Sequence, residues 1–165
     1  MKLIPTASQT VGPFFSIGLA PLYQNTATVN SANTVTINGT VFDGDEKAIP
    51  DAVLEFWNAR NFVRVPTSEE GRFSVTLEAP PKQDAQSARQ SIDYFDVLMF
   101  MRGLLKPVCT RVYLGDPDAA KNDPALEAVP TSRIATLIPK STEAQNRYVW
   151  DIFMQGEDET VFFDY

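Results

Sequence analysis

Apolar and polar residues alternate along much of this chain with a period of two rather than 3.6. In "TVTINGTVFDGD", Val35, Ile37 and Val41 are set against Thr34, Thr36, Asn38 and Thr40, which predicts a half-buried strand. Asp43-Gly44-Asp45 closes it with a turn signal. "AVLEFWN" predicts a second strand and "GRFSVTLEA" a third, with Phe73, Val75 and Leu77 on one face. Further strands are predicted over residues 94–102 and 108–114, in "RIATLIP" and in "NRYVWDIFMQG". "TVFFDY" reads as an aromatic tail or an edge strand. "PPKQDAQSARQS" is a polar loop with room for a helical turn, and "GDPDAAKNDPALEAVPTS" a loop with a short helix at most. About seven short strands, frequent turns and no long helix predict an all-β fold, an antiparallel β-sandwich with little helix.

Residues 1–33 break the pattern. Pro5, Gly12, Pro13, Gly18 and Pro21 interrupt any long helix there. Phe14, Phe15, Ile17 and Leu19 nonetheless give the segment an apolar density that a disordered tail lacks. It is expected to be an irregular arm that packs on its own domain or on a partner chain. Residues 1–165 read as a single domain that includes this arm.

Composition narrows the chemistry. The 165 residues are 44% hydrophobic and 21% charged, which fits a globular chain with a sizeable core. Fourteen Lys and Arg against 21 Asp and Glu give a net charge of −7, so nucleic acid is a poor partner. No apolar run approaches the length of a membrane span, and "MKLIPTASQT" lacks the apolar stretch of a secretory signal. A cytoplasmic location is expected. The histidine count is zero, which removes His-based triads, His-ligated zinc and His acid–base catalysis together. The lone Cys109 allows no intrachain disulfide and has no histidine to activate it, so it is expected to be a small buried residue. The eight glycines are scattered and form no phosphate loop.

What chemistry remains gathers in "IDYFDVLMFMRGLL". Strand alternation puts Tyr94, Asp96, Leu98 and Phe100 on one face, and Arg102 with them if the strand continues. A phenol and a carboxylate are hard donors suited to ferric iron, but two donors make no tight site. The alternative is that Asp96 is held by an arginine, either Arg102 or Arg111, since a buried carboxylate without a partner is costly. Trp57, Phe73, Phe100, Trp150 and Phe153 read as core, and "GEDET" as a solvated acidic turn.

"PTASQTVGPFF" at the start, "GTVFDGDEKAIPDAVLEFWNA" and "FVRVPTSEEGRF" in the middle, and "MRGLLKPVCTRVYLGD" and "VWDIFMQGEDETVFFDY" towards the end together resemble the intradiol ring-cleavage dioxygenases. The resemblance covers most of the chain and is closest to their alpha-type subunits. It implies a β-sandwich in which a catalytic beta-type chain binds Fe(III) through two tyrosines and two histidines. Counting back from "TRVYLGD" places Tyr94 and Asp96 at the histidine positions. The loops that would carry the tyrosines, "NARN" and "PPKQDAQSARQS", hold none. The resemblance therefore implies a subunit with no catalytic residue and no metal or cofactor of its own.

For alpha-type chains the resemblance implies an architectural role, with the iron in a beta-type partner. Thr10, Gly12, Pro13 and Arg102 are then the expected wall of that partner's substrate pocket. A catechol-type aromatic acid fits Arg102 chemically, because a planar guanidinium pairs a carboxylate through two parallel hydrogen bonds. A solvated turn arginine is the alternative for Arg102. Two other functions stay open: a stand-alone sandwich module that binds or scaffolds, and an enzyme with a rebuilt site at Tyr94 and Asp96.

Overall fold

The computed structural model describes residues 7, 9–10, 12–27, 33–79, 93–114 and 120–164. The predicted polar loop at 80–91 lies outside them, as does Val11 of the arm. Two sheets face each other. The first has the order β4-β1-β8-β7, from β4 (Arg72–Glu78), β1 (Thr34–Phe42), β8 (Arg147–Val149) and β7 (Lys140–Ser141), with β9 (Ile152–Phe153) pairing the end of β1. The second has the order β3-β2-β5-β6, from β3 (Phe62–Pro66), β2 (Val53–Trp57), β5 (Tyr94–Phe100) and β6 (Val108–Tyr113). The sandwich read from the sequence is the fold. Pairing is antiparallel except where β8 and β9 run parallel to β1.

The alternation in the sequence is the alternation in burial. Val35, Ile37 and Val41 of β1, Phe73, Val75 and Leu77 of β4, and Phe95, Val97 and Met99 of β5 all point between the sheets. Phe56 fills the middle, fully buried, with its ring 5.8 Å from Phe73 and 6.4 Å from Trp150. Each such side chain contributes about 1.5–3 kcal/mol of burial, so the inward faces fix the register of both sheets.

Three local expectations are corrected, and one strand is added. "RIATLIP" is not a strand but a helical turn, Thr131–Ile134, continued by a 3₁₀ turn, Ala135–Leu137. Ile134 and Leu137, three apart, bury together against Tyr113, Leu126 and Val161 in a second, smaller core. β3 emerges from "NFVRVP" with its first aromatic outward; Phe62 is 55% exposed while Val63 and Val65 are buried. Trp57 is 47% exposed on the outer face of β2, not in the core. β5 ends at Phe100, so Arg102 sits in the following turn rather than on the strand face.

The described part of the arm runs across the second sheet and then over to the first. It contains a six-residue helix, Phe14–Leu19, and reaches β3 through a bridge between Gln24 and Arg64. It then meets β4, where Thr26 bridges Thr76.

Candidate functional site

The outer face of the second sheet carries two ion pairs set by strand register, and a third lies just beyond the ends of its strands. In β2–β3, Glu55 stands opposite Arg64, and Arg64 Nε donates to Glu55 Oε1 at 2.7 Å. In β5–β6, Asp96 stands opposite Arg111. In β2–β5 the last pair is Val53 with Phe100; two residues further along the same register, Asp51 meets Arg102. Sequence-predicted residues thus divide between two clusters, at the two ends of β5. At about 3.3 Å per residue, Asp96 and Phe100 alone are roughly 13 Å apart.

At the start of β5, Arg111 organises everything around it. Its Nε donates to Asp96 Oδ1 at 2.9 Å and its Nη1 to Asp123 Oδ2 at 2.9 Å. Tyr113 O–H donates to the same Asp123 oxygen at 2.8 Å. The guanidinium lies over the Tyr94 ring, 4.3 Å from its centroid, and 5.5 Å from that of Phe163. Of the two arginines considered for Asp96, the structure selects Arg111. Asp123 and Tyr113 escaped sequence reading, because Asp123 arrives from a loop whose path the local pattern does not fix.

This cluster does not fit a ferric ion. Its two carboxylates already share one guanidinium, and that cation also covers the Tyr94 ring. Burial pushes the Tyr113 phenol above its ordinary range; Arg111 opposes the shift and Asp123 adds to it. The Tyr113 O–H is already committed to Asp123. Among the described residues, no group of three or more His, Cys, Asp or Glu side chains is placed to hold a metal ion. Beside the cluster lies a shallow hollow of about 320 Å³ between Trp57, Asp96, Leu98, Cys109 and Arg111. The Cys109 thiol is half-buried rather than buried, and burial and the nearby Asp96 push its pKa up, away from a reactive thiolate.

The state of Tyr113 gives a pH prediction. Its folded pKa lies above the unfolded value of about 10. Its contribution to stability is therefore complete below that pH and is lost as pH rises through the folded value. In an alkaline ultraviolet titration, Tyr113 should stay un-ionised until the chain unfolds. Tyr113→Phe should remove that delayed step; a delayed step that persists in Tyr113→Phe would contradict it.

At the other end of β5, the arm meets the turn. Gly103 N–H donates to Thr10 Oγ1 at 3.2 Å, and Gly12 N–H reaches the same oxygen at 3.4 Å. Gly12 and Gly103 have φ of +61° and +90°, a left-handed backbone that favours glycine, so each lets its N–H turn towards Thr10. Pro13 begins the arm helix, and Phe15 packs on Phe100 with ring centroids 6.3 Å apart. Thr10, Gly12, Pro13 and Arg102 are therefore brought to one end of β5. Arg102 keeps 59% of its side chain exposed there, with Nε 2.5 Å from Asp51 Oδ2. Phe14, Ile17 and Leu22 of the arm and Leu105 of the β5–β6 turn are also exposed.

Comparison with known proteins decides the family. The chain is 36% identical, over 194 aligned positions and 96% of both chains, to the protocatechuate 3,4-dioxygenase alpha chain of Burkholderia cepacia. It belongs to the protocatechuate 3,4-dioxygenase alpha-chain family. The alpha chain of Pseudomonas putida is 28% identical over the whole of this chain and 99% of its own length. No family model matches the chain. Solved structures carry the same fold at low identity. The dioxygenase domain from Streptomyces sp. SirexAA-E aligns with a TM-score of 0.58 at 15% identity, over 84% of this chain and 89% of that one. Catechol 1,2-dioxygenase from Acinetobacter sp. ADP1 gives 0.52 at 17% identity, over 76% and 54%. An alpha-type subunit of an intradiol dioxygenase therefore keeps the family's sandwich and carries, at the start of β5, an arginine network where the resemblance implies iron ligands. No helix among the described residues is long and apolar enough to cross a membrane.

Proposed function

We propose that this chain serves, as one cytosolic domain, as the wall of a substrate pocket whose Fe(III) is held by a beta-type partner. The partner's iron supplies the oxygen chemistry that splits a catechol-type ring between its two hydroxyl-bearing carbons. This chain supplies Thr10, Gly12, Pro13 and Arg102. The observation that supports the reading most is the Thr10 hydroxyl, which ties the arm to the turn carrying Arg102 and makes one surface of two distant segments. On that surface Arg102 offers a planar donor fork to an aromatic carboxylate. The exposed Phe14, Ile17 and Leu22 of the arm and Leu105 of the β5–β6 turn favour a covered surface in an assembly over a stand-alone module.

The test is Arg102→Ala in the complex reconstituted with a beta-type chain. Its KM for 3,4-dihydroxybenzoate should rise about 10- to 100-fold, since hydrogen bonds to a charged group are worth about 1.5–3 kcal/mol. Turnover of catechol, which lacks the carboxylate, should change little. An unchanged KM for the acid would remove Arg102 from the pocket.

A further inference from the structure

Asp51 stands behind Arg102 at the proposed pocket wall. Its side chain is only 15% exposed, and both carboxylate oxygens are shut off from solvent. Neither accepts a well-aligned hydrogen bond, although Oδ2 stands 2.5 Å from Arg102 Nε. A carboxylate withdrawn from water and lacking such bonds depends on the charge beside it. That charge is Arg102, whose own side chain is mostly exposed. The asymmetry is informative. An exposed surface pair is held loosely and contributes little, whereas here one partner has its carboxylate buried in the turn just before β2. The flexible arginine must come to the fixed carboxylate.

We propose that Asp51 is a positioning residue that aims Arg102 at the carboxylate of an aromatic acid. The anchor is at Nε, the inner edge of the guanidinium. The two terminal nitrogens are then the donors that face outward, and they form the edge that pairs a carboxylate end-on. Thr10 holds the other side of the turn through Gly103 N–H, so the Arg102 backbone and the inner edge of its side chain are both fixed. A free arginine at this position would lose rotamer entropy on every binding event; a pre-aimed one has lost it on folding. The negative charge of Asp51 also offsets part of the guanidinium charge, so the site takes a bound carboxylate through directed hydrogen bonds rather than collecting anions at large.

This inference rests on the pocket reading of Arg102, and the experiment separates the two. Asp51→Asn, Arg102→Ala, Arg102→Lys and the double variant Asp51→Asn/Arg102→Ala are compared in the reconstituted complex. The probes are 3,4-dihydroxybenzoate and catechol. Asp51→Asn should raise KM for the acid about five- to tenfold, with kcat within twofold and catechol kinetics unchanged. The double variant should be no worse than Arg102→Ala. Arg102→Lys keeps a counter-charge for Asp51, and so the fold, but lacks the second edge of the fork; its KM for the acid should match that of Arg102→Ala. If Arg102→Ala raises KM while Asp51→Asn does not, or Asp51→Asn impairs acid and catechol alike, the positioning role is wrong and the pocket role stands. Wild-type KM in Arg102→Lys would overturn it too, by showing that a point charge suffices. If Arg102→Ala itself leaves KM unchanged, the pocket reading fails with it.

Discussion

Replacing Arg111 by Met is expected to cost about 3–5 kcal/mol of stability at neutral pH, the range for removing one partner of a buried ion pair. Arg111 is the shared cation of Asp96 and Asp123 and the cover of Tyr94. Met fills similar volume along the apolar stem, so the loss isolates the charge. Two carboxylates would then face each other in a partly buried place with no cation between them, which is strongly unfavourable. Urea unfolding at pH 7 reads this directly, with Arg111→Lys expected between the two because it restores charge without the fork. A wild-type midpoint for Arg111→Met at pH 7 would show that the cluster holds nothing together.

The network that makes this prediction was half legible in the sequence. Asp96 and Arg111 follow from one step of reasoning: a hairpin whose turn lies near Arg102 and Gly103 pairs residues whose numbers sum to a constant, and Asp96 falls opposite Arg111. Asp51 and Arg102 obey the same arithmetic in β2–β5. That pairing joins strands distant in sequence, and local alternation does not say which strands are neighbours. Alternation did disclose the strands that bury one face, such as β1 and β4. It misled where a segment is covered from another direction. "RIATLIP" alternates weakly, yet burying Ile134 and Leu137 against Tyr113 and Val161 requires a helical spacing. Trp57 looked like core because aromatic residues usually are. It lies outward because Leu54 and Phe56 already take the inward positions of β2.

The largest expected effect concerns iron. The chain purified alone and exposed to ferric ion should hold no stoichiometric iron, show no visible tyrosinate-to-iron absorption and cleave no ring. All three should appear when a beta-type chain is co-expressed with it. The reason lies in the donors. The chain has no histidine, Tyr94 lies beneath a guanidinium, Tyr113 donates its hydroxyl proton to Asp123, and Asp96 and Asp123 are both engaged by Arg111. A trivalent ion entering there would have to displace the guanidinium between the two carboxylates, and the charge repulsion between them grows as the partly buried site loses water. Metal analysis and the visible spectrum of the isolated chain decide the matter, with Tyr94→Phe as the control. Stoichiometric iron in the chain alone, with an absorption band lost in Tyr94→Phe, would mean that Tyr94 and Asp96 form a rebuilt metal site. The arginine network would then be its resting state rather than its replacement.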